Sequence, residues 1–368
     1  MAFAPHKYEL IHFTTARKRH NLRATIKVGV IVKEPSQSIR VLGVWLDPKL
    51  SWGAHAKVAL KKGSAALSAL GRVVASTWGA SFSRARLLYC ATVRPAISYG
   101  ATAWLEPGKE KSSPVIKAIS KLQSRGLRLV AGAYKATPIR ELEKETFVPP
   151  IDIYCKEIWA RHIRRTYASP VGSYIQEQCR AIRSRLRRKK RQGQGQRQTV
   201  AATLTVGQER LAWAEKREQD LGEGSKKATR TEWGRRWVQG KREGGRGWHV
   251  SLAKDGQPKP KNFKLYSKLK KAESSVVFQA RTGRIGLRHF LAKARVPEIS
   301  SPECSCGGGL ETAEHVLLHC WNRPSSWPRG ARFRKIMEAP ECVGKVAREL
   351  IQCGRLGQFS LANKLLYS

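Results

Sequence analysis

The sequence predicts a mainly α-helical protein (α+β class) with a small antiparallel β sheet at its N-terminus. Residues 24–32 and 39–46 are rich in branched apolar side chains, which is typical of strands. From residue 52 to 168, apolar side chains recur at helical spacing, as in a helical bundle. Three cysteines and a histidine then crowd into residues 304–320, which marks a small module of its own.

Each element has its own signal. We expect two to four strands over residues 1–50, with 8–13 as a further short β-prone run. Helices are expected at 52–78, at 83–104 with an interruption at Pro95, at 113–131, after a Thr137–Pro138 cap, and at 151–167. The predicted segments are a β-rich segment (1–50), a helical bundle (51–170), a basic, Gly-rich and largely disordered linker (171–262), a helical segment with the cysteine cluster (263–330) and a helical C-terminal tail (331–368).

The charge balance points to a polyanionic partner. Seventy Lys and Arg against 27 Asp and Glu give a formal net charge of +43. Such an excess repels itself, and nucleic-acid phosphate is its usual partner, so we expect RNA or DNA to bind with little sequence preference. A basic surface that is only solvated is the alternative. The predicted phosphate contacts are Arg183, Arg185, Arg187, Arg188, Lys189, Lys190, Arg191, Arg281, Arg284 and Arg288.

Membrane association is not indicated. No window approaches 18 uninterrupted apolar residues, and the N-terminus lacks the charged-then-apolar pattern of a signal peptide. The remaining cysteines are scattered, unlike a secreted disulfide framework. We therefore expect a reducing compartment, nuclear or cytoplasmic.

Four side chains that are typical zinc ligands lie close together: Cys304, Cys306, His315 and Cys320. Gly307–Gly309 allows the backbone amides to curl around the sulfur atoms, and Thr312 can cap a short helix that carries the histidine. One residue between the first two cysteines is tighter than the usual two to four. His319 is a competing ligand, and three reduced structural cysteines beside a polar histidine are the alternative. A zinc site here would be structural, and metal removal would unfold the segment.

The acidic residues give no sign of a catalytic site. The aspartates are Asp47, Asp152, Asp220 and Asp255, and no two are neighbours. Two-metal phosphoryl transfer needs carboxylates clustered around cations about 4 Å apart. Three of the four stand in Pro- or Gly-rich contexts that are typical of caps and turns. No Walker A loop, nucleophile elbow or His-Glu-x-x-His helix is present.

Several blocks, in this order, resemble the C-terminal portion of a non-LTR (LINE-type) retrotransposon reverse transcriptase of the kind abundant in fungi. The blocks are Pro5–Phe13, Ile39–Trp52 with His55, Arg94–Gly100, Leu127–Pro138, Ser274–Leu287 and the cysteine cluster. The resemblance covers roughly 1–168 and 263–325. It implies the end of the polymerase palm over residues 1–50, a thumb-like bundle over 51–170, and a terminal zinc knuckle that binds element RNA or target DNA.

The departures from that family decide what the resemblance implies. The chain begins just after the place where the palm's paired aspartates would lie, and the interval that often holds a ribonuclease H domain is here basic and Gly-rich. The resemblance therefore implies a catalytically incomplete fragment that binds nucleic acid, and no enzyme on this chain alone. Two alternatives stay open: an accessory part of a split reverse transcriptase that acts with a separate fingers and palm chain, and a decayed element without a selected role.

Overall fold

The computed structural model describes residues 7–14, 22–105, 113–174, 177–178, 181, 225–242, 252, 256–322 and 326–367. The fold is mainly helical with a small antiparallel β region near the N-terminus, which confirms the predicted fold class. The α-helices are α1 (Gly53–Gly71), α2 (Phe82–Leu88), α3 (Arg94–Ser98), α4 (Ala101–Trp104), α5 (Pro114–Ala131), α6 (Ile139–Thr146), α7 (Ile151–Tyr167), α8 (Ser225–Arg242), α9 (Pro260–Lys264), α10 (Lys271–Thr282), α11 (Arg288–Lys293), α12 (Phe333–Glu338), α13 (Val343–Gln352) and α14 (Ser360–Tyr367). Wider π-helical turns run over Tyr89–Val93 and His315–His319.

Two β hairpins make up the β region. Strand β1 (Ile26–Val28) pairs with β2 (Ile31–Lys33), and β3 (Ile39–Val41) pairs with β4 (Val44–Leu46). Each run predicted as one strand is thus folded in two by a two-residue turn. Leu42 and Gly43 both adopt positive φ, 47° and 85°, as a type I′ hairpin turn requires. The β-prone run 8–13 forms no strand and contributes only an isolated bridge, Leu10 to Pro35.

Contacts divide the chain into two compact units, one made of 1–58, 98–118 and 150–233, the other of 59–97, 119–149 and 234–368. In the first unit, His55 joins the β3–β4 hairpin to the segment before α4. Its Nδ1 accepts from the Trp45 amide at 3.5 Å and its Nε2 lies 3.1 Å from the Tyr99 carbonyl oxygen. The Tyr99 hydroxyl in turn donates to the Leu42 carbonyl at 2.9 Å. The histidine is 2% exposed, so its role is structural.

Helix α8 lies inside the segment predicted to be a largely disordered linker, so that prediction is wrong for residues 225–242. Thr229, Trp233 and Trp237 are buried at four-residue spacing, which places them on one helical face. Within the first unit, the Thr229 hydroxyl donates to the Glu157 carboxylate of α7 at 3.0 Å. Burial of two tryptophans offsets the repulsion among the helix's basic residues. The rest of the predicted linker falls almost wholly outside the described residues.

The core of the second unit contains an acidic helix, α6, whose residues Glu141 to Thr146 are all buried. Arginines of the α10 region neutralise two of its carboxylates. Arg281 Nε donates to Glu145 at 2.8 Å, and Arg284 Nη1 donates to Glu141 at 2.8 Å. Because a buried carboxylate without a counter-charge is strongly unfavourable, these pairs fix α6 against α10.

Helix α10 makes further contacts with the end of α5. The Lys271 ammonium donates to the Val130 carbonyl at 2.7 Å, where it satisfies an acceptor left free at the helix C-terminus. The Gln279 amide donates to the Gly132 carbonyl at 2.8 Å. Residues of 119–149 and of the segment after 256 therefore share one compact unit, while the five-segment division of the chain stays a prediction.

None of the helices in the described ranges combines the length and the apolar content that a bilayer crossing requires.

Candidate metal centre

The loop that carries the first two cysteines is closed by its own backbone. A bridge pairs Glu303 with Leu310, and the Cys304 amide donates to the Gly309 carbonyl at 2.8 Å. The Gly308 amide donates to the Cys306 sulfur at 3.3 Å, as the glycine run predicts. A Cβ at Gly308 would lie 3.0 Å from Trp321 Nε1 and 3.3 Å from that sulfur, so a side chain would crowd the cluster.

The other two side chains come from a short helical turn that begins at Thr312. Its hydroxyl accepts from the His315 amide at 3.1 Å, which confirms the predicted cap. From His315 the turn widens to a π-helix, and the Cys320 amide donates to the His315 carbonyl at 2.8 Å. This five-residue pairing closes the turn and brings Cys320 back to the side of the histidine.

The loop and the turn together bring all four predicted ligands into one cluster. The ligand atoms of Cys304, Cys306, His315 and Cys320 lie within 4.8 Å of one another. The Sγ atoms of Cys304 and Cys320 are 3.7 Å apart, close to the separation of about 3.8 Å for two sulfurs on one tetrahedral zinc. Cys306 Sγ and His315 Nε2 are 3.1 Å apart and would open by a few tenths of an ångström, to about 3.5 Å, around such an ion. The cluster can hold a metal ion.

The competing histidine lies elsewhere. His319 is exposed, at the end of the π-helical turn, whereas His315 is 6% exposed and faces the sulfurs. Among the described residues, this is the group of His, Cys, Asp and Glu side chains that can hold a metal. The described cysteines are all free thiols, so no disulfide competes for these sulfur atoms.

The electrostatics of the loop favour thiolate at its first cysteine. Burial raises the pKa of Cys304, but the Cys306 amide, the Cys306 side chain and the Arg355 guanidinium outweigh it and bring the pKa to about 6. Burial and the neighbouring Cys304 and Cys320 sulfurs raise the pKa of Cys306, against the effect of the Gly308 amide. Since thiolate is the form that binds metal, Cys304 is the ligand prepared at neutral pH.

The residues predicted to contact phosphate are not brought together as the metal ligands are. Arg281 and Arg284 are 3% and 2% exposed and paired with glutamates, so the prediction of phosphate contact is wrong for both. Both arginines instead neutralise buried glutamates of helix α6. Arg288 is exposed at the start of α11, and its assignment to phosphate stays a prediction. The other predicted contacts, Arg183, Arg185, Arg187, Arg188, Lys189, Lys190 and Arg191, lie outside the described residues.

A basic face that we did not predict lies on α5. Lys117, Lys121 and Arg125 are exposed and four residues apart, so they form a row with a charge about every 6 Å along the helix. The opposite face is buried through Ile119, Leu122 and other apolar residues. The four-residue spacing of these basic residues is the sequence signal for this face, although the charge at 180–197 is denser.

The two described aspartates stand at a turn and at a helix start, as their sequence contexts predict. The Asp47 carboxylate accepts from the Lys49 and Ser51 amides at 3.2 and 2.9 Å. Asp152 lies in the first turn of α7, where a negative charge complements the helix dipole.

Comparison with protein families, with curated proteins and with solved structures finds no match for this chain.

Proposed function

We propose that this chain binds RNA or DNA through basic surfaces, and that a zinc ion held by Cys304, Cys306, His315 and Cys320 organises its C-terminal module. The observation that carries the proposal is the convergence of the four ligand atoms within 4.8 Å in a chain of net charge +43. Three sulfurs and one imidazole nitrogen are donors that suit zinc. Because all four positions of a tetrahedron are protein ligands, the ion is structural and its contribution is to folding.

The α5 face supports the nucleic-acid part of the proposal. Lys117, Lys121 and Arg125 present three charges in a row, and such a row suits a phosphate backbone, which repeats its charge along the strand. No base-reading constellation is needed for binding of this kind. Affinity then comes mainly from counterion release, falls steeply with salt and varies little with sequence.

The proposed biological context comes from the sequence resemblance. The ordered blocks resemble the C-terminal portion of a non-LTR retrotransposon reverse transcriptase. By this resemblance the chain binds element RNA or target DNA and does not itself catalyse a reaction. The Asp47 carboxylate, which accepts from two backbone amides of its turn, and Asp152, in the first turn of α7, are consistent with this assignment.

A binding assay tests the proposal. Fluorescence anisotropy with a labelled single strand and a labelled duplex of arbitrary sequence should show binding at 50 mM salt. Affinity should fall by a factor of about 10³ or more at 200 mM if six or more phosphates are contacted. Equal competition by unrelated sequences is expected. If neither probe binds at low salt, the proposal is refuted.

One observation favours a second candidate, the accessory part of a split reverse transcriptase. Apolar side chains of the N-terminal hairpins are exposed, with Val30 at 93%, Val32 at 59% and Leu42 at 91%. Exposed apolar side chains suit contact with a partner chain that supplies fingers and palm. Primer extension by the chain alone should then be nil and should appear when that partner is added. Val30→Ser, which removes the apolar side chain without adding charge, should abolish the gain without changing binding to nucleic acid.

A further inference from the structure

The guanidinium of Arg355 contacts two of the cluster's sulfur atoms at once. Nη1 donates to the Cys304 sulfur at 3.0 Å and Nη2 donates to the Cys320 sulfur at 3.2 Å. Each of these two cysteines is 4% exposed, and both are more buried than Cys306, the third cysteine of the cluster. Arg355 stands 35 residues beyond the last ligand, in the segment that the sequence predicts to be a C-terminal tail.

The same guanidinium ties the cluster to the loop that supports it. Nη1 also donates to the Glu311 carboxylate at 3.0 Å, and the other oxygen of that carboxylate accepts from the Arg288 amide at 2.8 Å. Glu311 therefore joins Arg355 to the first turn of α11. Its side chain is 7% exposed, so the arrangement is shielded from solvent.

The position of Arg355 is fixed by buried neighbours. Leu356 and Phe359 are 3% and 0% exposed, and Gly354 turns the chain with φ 73° at the end of α13. Helix α13 itself packs on α10. The arginine thus extends from a well-packed part of the second unit, and its own side chain is only 20% exposed.

The net charge of the metal site explains why an arginine lies beside it. Three thiolates and one divalent ion carry a net charge of −1, and a buried net charge is unfavourable unless it is paired. The Arg355 guanidinium places one positive charge between the two sulfurs and the Glu311 carboxylate, so it offsets negative charge on both sides. Its planar fork can reach both sulfurs and a carboxylate together, which a lysine ammonium does less well.

We propose that Arg355 is a positioning residue of the metal centre, which orients the Cys304 and Cys320 sulfurs and offsets part of the negative charge of the three-thiolate site. The inference rests on the proposed metal binding, and it makes the segment after residue 326 an integral part of the metal-binding module. Outer contacts of this type hold ligands in place, and their removal weakens metal binding by about 10- to 100-fold.

Cobalt(II) provides the test, because its thiolate charge-transfer band reports on the sulfurs directly. Arg355→Met, Arg355→Lys and the intact full-length chain are loaded with Co²⁺ and titrated with a competing chelator. Arg355→Met should bind about 10- to 100-fold more weakly, with Arg355→Lys between it and the unmodified chain. The charge-transfer band of Arg355→Met should move to lower energy, since its sulfur lone pairs lose two N–H donors. Arg329→Met, which removes an exposed arginine of the same segment, is the matched control and should change neither value.

The possible results distinguish a failure of metal binding from a failure of the role proposed for Arg355. If the unmodified chain does not bind one Co²⁺, the metal centre itself is refuted. If it does, and both Arg355 variants retain its affinity and its spectrum, the role of Arg355 is refuted. Should Arg355→Met fail to fold by circular dichroism, Arg355→Lys decides alone, because it keeps the charge and loses only the fork.

Discussion

Arg281 and Glu145 form a bidentate ion pair in the interior of the second unit. Arg281 Nε and Nη2 donate to the two carboxylate oxygens at 2.8 and 3.1 Å, and the two side chains are 3% and 0% exposed. Tyr266 adds a hydroxyl donor to the same carboxylate at 2.5 Å. A residue that sequence reasoning assigned to nucleic acid is therefore a structural element of the core.

Breaking this pair should destabilise the protein strongly. Arg281→Met leaves the Glu145 carboxylate buried without its partner, which should lower the free energy of unfolding by about 3–5 kcal/mol. Urea denaturation followed by circular dichroism measures the loss. Arg329→Met, which replaces an exposed arginine, is the control and should change the free energy of unfolding by less than about 0.5 kcal/mol. Similar losses for both variants would contradict the structural role of Arg281.

The pair also predicts a loss of stability in acid. Burial tends to raise the pKa of Glu145, but the charge and hydrogen bonds of Arg281, with Lys144 and Tyr266, lower it below its ordinary value of 4.5. A carboxyl whose folded pKa is depressed contributes stability above its unfolded pKa, and that contribution is lost as pH falls through the folded value. Unfolding free energy measured between pH 6 and pH 3 should therefore fall more steeply for the natural chain than for Glu145→Gln. Parallel curves would show that Glu145 is not the responsible carboxyl.

Metal removal should unfold the cluster locally. Most residues of the loop 303–310 are exposed, so the fold of this loop depends on the metal ligands. Hydrogen exchange by mass spectrometry should show that a chelator, or Cys320→Ser, removes protection there and leaves the buried helix Ile139–Thr146 protected. Cys90→Ser makes the same chemical change outside the cluster and should have no such effect. Unchanged protection after chelation would mean that the loop folds without metal.

The α5 face should carry part of the affinity for nucleic acid. Neutralising Lys117, Lys121 and Arg125 to alanine should weaken binding for all sequences and reduce the salt slope, by about one for each phosphate that these side chains neutralise. The control removes the same charge at Lys49, Lys268 and Arg329, which are exposed and scattered. If both triple variants bind alike, net charge accounts for binding and the α5 row has no special part.

How much of the fold the sequence could predict depends on the range of the signal. The bounds of α5 and α7 were predicted to within a residue, because local periodicity and proline boundaries define them. The two hairpins were not, because Leu42–Gly43 turns inside a run that alternates like a single strand. Helix α8 was missed since the basic composition around Trp233 and Trp237 outweighed their helical spacing.

The residues of the candidate site also differ in whether the sequence could predict them. The four metal ligands lie close in sequence, so their spacing was sufficient to group them and to predict the Thr312 cap. Arg355 and Glu311 could not be added, because their contacts depend on how α13 returns to the loop. The burial of Arg281 and Arg284 was equally hidden, since their partners on α6 stand more than a hundred residues earlier.

The metal content of the purified full-length chain tests the central claim most directly. Elemental analysis after dialysis against metal-free buffer should find one zinc per chain, and Cys304→Ser with Cys320→Ser should reduce it to near zero while Cys90→Ser retains it. A natural chain that folds and carries no zinc, even after incubation with the ion, would contradict the account.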